Sequence, residues 1–226
     1  MSDTRKTIID KFKKRFEQLA CAQLSDAAIE RIIPLPNYFK SYGKKVKMCG
    51  PLFSVNTEND MLPAIQAIAS APKGSVIFIN NTASSANSEA LIGEIYANTA
   101  IKYEMSGICV NGAIRDIHLL KSLELPIYAK EVTFVSSKVA KKAAKKVPEP
   151  IEIEGILIEP SDWLFADEDG LLIVRAADLR AVLLAAEFIN KRETDLLSAI
   201  RSGQRLEKLI GLNEFLAGKS DLRFSF

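Results

Sequence analysis

Histidine is almost missing: His118 is the only one in 226 residues. A lone histidine excludes metal sites built from two or three of them and leaves a Ser-His-Asp triad with little support. His118 itself reads as a helix-surface residue. Cysteine is scarce too. Cys21, Cys49 and Cys109 form no CxxC pair, and two sit in apolar runs, so they read as reduced core residues of a cytosolic protein. No apolar run approaches the roughly 20 residues that cross a membrane, and Met-Ser-Asp-Thr-Arg-Lys at the start lacks the apolar region of a secretion signal. Neither sign of charge dominates. A net charge of +2 gives no global field for nucleic acid. The expectation is a cytoplasmic chain with no membrane and no nucleic-acid partner.

What is present suits one soluble globular unit, with 48% hydrophobic and 26% charged residues. Ile8, Ile9, Phe12, Phe16 and Leu19 predict an amphipathic helix over residues 3 to 21. A second helix is expected from Leu24, with Ser25 as its N-cap. Val46 to Val55 reads as a strand broken at Gly50-Pro51. Met61 to Ile68 reads as a helix with Pro63 in its first turn, and Ser75 to Asn80 as a buried strand. Asn81 to Ser88 is small and polar. It is either a plain linker or a loop whose amides face a ligand.

Residues 93 to 116 carry the densest set of signals. A helix is expected from Glu94 to about Glu104, then a core strand at Ile108-Cys109-Val110 and a turn at Asn111-Gly112. Arg115-Asp116 follows the strand, where α/β proteins tend to keep their chemistry. The pair is either a helix-start ion pair or part of a site. Lys138, Lys141, Lys142, Lys145 and Lys146 form a run that reads as a solvated face, with a nucleic-acid patch as the alternative. From Ile151 the pattern turns to strands. Asp167-Glu168-Asp169-Gly170 reads as hairpin chemistry, lacking the spacing of a calcium loop. Leu179 begins a long amphipathic helix running towards Leu197.

Several segments, in order, resemble the family that joins the RraA ribonuclease regulators to the 4-hydroxy-4-methyl-2-oxoglutarate aldolases. They are Leu24-Ser25-Asp26-Ala27, Gly50-Pro51, Asp60 with Ala64-Ile65, Gly74 to Ile77, Gly93-Glu94, Gly107 to Asp116, Leu125 to Ala129 and Ala166 to Gly170. The resemblance implies an α/β fold: a layered, swivelling-domain-like β/β/α sandwich with flanking N- and C-terminal helices. It implies a single RraA-like domain over 1–226, with a core at about 20–195 and a C-terminal helical extension at 196–226. The aldolase members resemble one another in an acidic residue, twenty intervening positions and Arg-Asp, where the regulators carry glycine first. Glu94 and Arg115-Asp116 have this spacing.

By that resemblance the chain is a divalent-metal-dependent lyase that releases pyruvate from a 4-hydroxy-2-oxo dicarboxylic acid. Oxaloacetate decarboxylation is an expected side activity. Asp116 would ligate Mg2+ or Mn2+ directly, and Glu94 would act on the metal through water. Arg115 would hold the 2-oxo acid with the backbone of Gly93, Ile95 and Tyr96. Glu193 would reach the metal site from a neighbouring subunit of a homotrimer or hexamer. Leu119 stands where the family often has an acidic residue, and the tail departs from the aldolase ending, so a different, sugar-derived 2-oxo acid stays open. The alternative is a non-catalytic regulator that binds a ribonuclease or helicase. Lys130 is the nearest lysine for a Schiff base, but no lysine motif suggests one. No glycine-rich loop after a first strand suggests a methyl-donor site.

Overall fold

A computed structural model describes residues 2–139 and 146–222, with the side chains of 2–6 left aside. Lys141, Lys142 and Lys145 of the lysine run lie outside the described residues. Helices α1 (Ser2–Glu17) and α2 (Cys21–Ala28) precede strands β1 (Ile32–Pro34), β2 (Lys40–Ser41) and β3 (Met48–Thr57). Then come α3 (Met61–Ser70), β4 (Val76–Asn81), β5 (Ala90–Ile92), α4 (Glu94–Lys102), β6 (Gly107–Ile114), α5 (Ile117–Leu120) and β7 (Ile127–Val132). Two hairpins follow, β8 (Ile151–Ile153) with β9 (Ile156–Ile158), and β10 (Trp163–Asp167) with β11 (Gly170–Val174). Helices α6 (Leu179–Arg201), α7 (Leu206–Leu209) and α8 (Leu212–Leu216) close the chain.

The strands run in the order β1-β11-β10-β3-β4-β6-β7-β2. β3, β4, β6 and β7 are parallel, whereas β1, β11, β10 and the start of β3 are antiparallel. Period-two alternation decides which layer each side chain joins. Ile77, Ile79, Ile108 and Val110 face α3 and α4 in one core. Val76, Phe78 and Cys109 face the opposite way, against Leu164, Ala166, Leu171 and Ile173 of the antiparallel half. The alternate residues of that half, Trp163, Phe165, Leu172 and Val174, pack under α1, α2 and α6. The result is the expected sandwich of two sheet layers with flanking helices. Edge-to-face rings at Phe16–Phe165, with centroids 4.9 Å apart, tie α1 to the sheet and add about 0.5–1.5 kcal/mol beyond their area.

The expected break at Gly50-Pro51 is a change of partner instead. β3 pairs with β10 up to Pro51 and with β4 from Leu52. The expected turn at Asn111-Gly112 is strand: β6 runs on to Ile114, because Asn111 donates its side-chain amide to Asn80 Oδ1 at 2.8 Å. Ser25 lies inside α2 rather than capping it. The Asp167 carboxylate does that work, accepting from the Cys21 amide at 2.7 Å. No helix among the described residues is long and apolar enough to cross a membrane.

All three cysteines are free and buried. Burial pushes each thiol well above its usual range, reinforced at Cys21 by Asp167. Since the thiolate is the reactive form, a colorimetric thiol reagent at pH 8 is expected to titrate none of them in the native protein and all three after unfolding in guanidinium. Rapid native labelling would contradict this packing.

Candidate functional site

The site arises where β5 replaces β4 beside the outer half of β6. β4 pairs with β6 as far as Asn111, and β5 then pairs through Ala90 with Ala113 and through Ile92 with Ile114. The Arg115 amide extends this pairing, donating to the Ile92 carbonyl at 3.1 Å. The chain therefore leaves β5 at Gly93 and β6 at Arg115 side by side. That brings together Glu94 and Arg115, which have twenty residues between them in the sequence.

Gly93 caps α4. The first intrahelical bond runs from the Ala97 amide to the Gly93 carbonyl, 3.1 Å. The amides of Glu94, Ile95 and Tyr96 thus have no acceptor inside the helix. The Asp116 carboxylate takes the first of them: its Oδ2 accepts from the Glu94 amide at 3.0 Å. Arg115 Nε stands 3.6 Å from the same oxygen. A Cβ on Gly93 would lie 2.3 Å from Asp116 Oδ2 and 3.0 Å from Arg115 Cγ. Glycine is required here by close approach.

Asp116 precedes α5 in the left-handed region (φ 62°, ψ 34°) and makes no side-chain cap to that helix. Such a conformation costs a non-glycine residue about 1–3 kcal/mol. Here it turns the carboxylate back onto α4. The helix-start reading of Arg115-Asp116 is therefore half right: the aspartate serves a helix N-terminus, but the neighbouring one. Among the described residues no protein donor meets Asp116 Oδ1, and no carboxylate meets the terminal nitrogens of Arg115.

A cleft of about 370 Å3 opens beside this cluster. Gly93, Glu94, Ile95, Tyr96, Arg115 and Asp116 line it together with Met61, Ile65, Ile68 and Ala69 of α3 and with Thr99, Tyr103 and Ser136. The Tyr96 side chain is committed to the core, its hydroxyl donating to the Ala64 carbonyl at 2.8 Å, so only its amide is open to the cleft's chemistry. A second hollow of about 430 Å3 lies across Arg115-Asp116, walled by Ile117, Val132, Thr133 and Phe134.

Other expected residues lie elsewhere. Glu193 is on α6, where the Gln23 side-chain amide donates to it, and it lines neither hollow. The Asn81–Ser88 segment spends polar groups on itself and on the loop before α3: Asn81 Nδ2 donates to the Ala86 carbonyl at 3.0 Å and to Asn59 Oδ1 at 2.7 Å. His118 is exposed. Lys130 Nζ sits 4.4 Å from the Tyr38 ring centroid and lines neither hollow. Sequence reasoning passed over Ser136, Phe134 and the outer face of α3. One signal was present: α3 is apolar on two faces, with Met61, Ile65 and Ala69 beside the buried Ala64, Ala67 and Ile68.

The donor set can be weighed against a metal. No cluster of three or more His, Cys, Asp or Glu side chains exists among the described residues. A closed protein cage of the zinc or calcium kind is not what this site offers. One carboxylate with an uncommitted oxygen, and a second acidic residue on the adjoining helix, suit a cation that keeps most of its water, such as Mg2+.

An α/β sandwich with an acidic-and-arginine site at a helix start is the class this geometry defines. Residues 21–173 match the RraA-like family (Aldolase/RraA), and the chain belongs to that family. It is 30% identical to the 4-hydroxy-4-methyl-2-oxoglutarate aldolase of Thermus thermophilus over 140 residues, 62% of this chain and 83% of that one. It is 28% identical to Protein DlpA of Legionella pneumophila over 75% of this chain, and spans only 28% of that protein's length. The solved structure of the RNA-processing inhibitor RraA from Thermus thermophilus superimposes with a TM-score of 0.63 at 28% identity, over 69% of this chain and 92% of that one.

Proposed function

We propose that the chain is a divalent-metal-dependent carbon–carbon lyase that cleaves a 4-hydroxy-2-oxo dicarboxylic acid to pyruvate by a retro-aldol reaction. The observation that carries this reading is the Asp116 carboxylate held on the Glu94 amide beside Arg115, with one oxygen uncommitted. Asp116 would hold Mg2+ or Mn2+ directly and Glu94 through water, and the bound cation would supply Lewis-acid stabilisation of the developing enolate. Arg115 forks onto the substrate's carboxylate or 2-oxo oxygen, a planar two-point contact suited to guanidinium. The open amides of Ile95 and Tyr96 at the positive end of α4 hold the carboxylate. Glu94 accepts the proton of the C4 hydroxyl through an intervening water. C4 becomes a carbonyl as C3–C4 breaks, the electron pair passes into the C2–C3 enolate, and C3 takes up a proton to give pyruvate. The same stabilisation would decarboxylate oxaloacetate.

We further propose a homotrimer or hexamer in which Glu193 serves a neighbour's site. Exposed apolar side chains beside the site, Ile95 at 83% and Phe134 at 92% exposure, support self-association.

Coupled pyruvate detection over a panel of 4-hydroxy-2-oxo acids and oxaloacetate tests the reading. Release is expected with magnesium or manganese and is expected to stop with a chelator. Turnover that survives exhaustive chelation would remove the metal from the reaction. If no panel member reacts while the protein captures a ribonuclease or helicase, the alternative gains: a non-catalytic regulator, in the manner the Thermus RraA's name describes.

A further inference from the structure

We propose that Thr133 is a specificity-determining residue whose hydroxyl binds the second carboxylate of the substrate, on the fragment that parts from pyruvate; this rests on the lyase reading above. Arg115 and Asp116 are common to both hollows. The first also has Glu94, Ile95 and Tyr96, whose amides stand at the start of α4. The second has Val132, Thr133 and Phe134, from the end of β7 onwards. A 2-oxo acid whose C1 carboxylate rests on the Ile95 and Tyr96 amides meets the shared pair at its 2-oxo group. The carbons after that group pass the pair into the second hollow, to which Thr133 brings a hydroxyl.

Strand register places Thr133 beside Arg115 independently of the cavities. β6 and β7 are parallel, with Ile114 opposite Val132. The Thr133 amide donates to the Ile114 carbonyl at 3.0 Å, so residue 133 continues the pairing next to residue 115. Neighbouring strands lie about 4.7–4.9 Å apart, a gap that a short diacid bridges. The hydroxyl is also underused inside the protein. Its Oγ1 stands 3.4 Å from the Ser88 carbonyl and 3.3 Å from the Val135 amide, both beyond the usual ranges for such bonds. A threonine hydroxyl offers one proton and two lone pairs, and a carboxylate takes that proton more strongly than a distant carbonyl does. Cleavage moves the C4 hydroxyl proton to the base, breaks C3–C4 and protonates C3. The second product is a carbonyl acid whose carboxylate Thr133 has held.

Thr133→Val keeps the β-branched shape and removes the hydroxyl. It is compared with the parent on a matched pair of substrates, with magnesium present. 4-Hydroxy-2-oxoglutarate carries the second carboxylate and gives pyruvate and glyoxylate. 4-Hydroxy-2-oxopentanoate has a methyl group in its place and gives pyruvate and acetaldehyde. The ratio of kcat/KM for the diacid to that for the monoacid is expected to fall about 10–100-fold in Thr133→Val, the range of a hydrogen bond to a charged group. Thr133→Ser, which retains the hydroxyl, is expected to keep the parental ratio. A purely structural role would lower both rates together. An unchanged ratio in Thr133→Val, or a Thr133→Ser protein whose ratio falls as far, would overturn the proposal while leaving the lyase reading intact. Exchange of pyruvate methyl protons in deuterated water follows the pyruvate half of the site by itself. A parent protein that neither exchanges those protons nor releases pyruvate from either acid loses both readings.

Discussion

Gly93→Ala is expected to lower kcat/KM for pyruvate release by about 10²–10³-fold while leaving the protein folded. The new methyl carbon would stand 2.3 Å from Asp116 Oδ2 and 3.0 Å from Arg115 Cγ. Something must move, and the softest element is the Asp116 carboxylate on the Glu94 amide. A displacement of about 1 Å in a reacting constellation costs on the order of 10²-fold, and a lost stabilising contact to developing charge costs about 10²–10³-fold. Backbone strain does not confuse the result, since Gly93 is extended (φ −152°), a conformation open to any residue. Circular dichroism and the melting temperature should stay near those of the parent. A folded Gly93→Ala protein with parental kcat/KM would show that the crowded contact has no part in the chemistry.

Asp116→Asn is expected to cost about 10³-fold in kcat, in the range of losing a main electrostatic partner. Asparagine is chosen because alanine would confound two effects. Position 116 is left-handed (φ 62°), a region asparagine enters more readily than other side chains. Its carbonyl oxygen can still accept from the Glu94 amide. What disappears is the charge, and with it the proposed direct hold on a cation. Added Mn2+ is expected to bind the parent in calorimetry and to bind the variant at least about tenfold more weakly. Equal metal affinity in both would move the metal away from Asp116.

Much of this was legible in the sequence because it is local. The short apolar run in Ser75–Asn80 and the strand pattern from Ile151 gave strands, and the long period from Leu179 gave α6. Gly93-Glu94 and Arg115-Asp116 were marked as partners by spacing. What makes them partners was not legible. β5 is three residues long and owes its form to pairing with Ala113 and Ile114, so no local pattern announces it. Asn111-Gly112 misled for a related reason. In isolation the pair favours a turn, but the contact to Asn80 holds it in the sheet. The left-handed Asp116 is set by a helix 22 residues upstream, as the 22-residue span of its bond to Glu94 records. The part that α3 plays in lining the cleft escaped because Ile65 reads as core in any helical pattern.

The partner change along β3 has a consequence for how the molecule comes apart. Residues up to Pro51 complete the antiparallel half, and residues from Leu52 complete the parallel half. Neither half keeps its edge if this strand leaves. Loss of β3 would expose both inner faces at once and uncover α3, which packs on it. The cost of opening either layer is thus shared by the other, and local fluctuation at one face is restrained by packing on the far side. β6, which ends just before Arg115 and Asp116, lies two places from β3 in the same sheet.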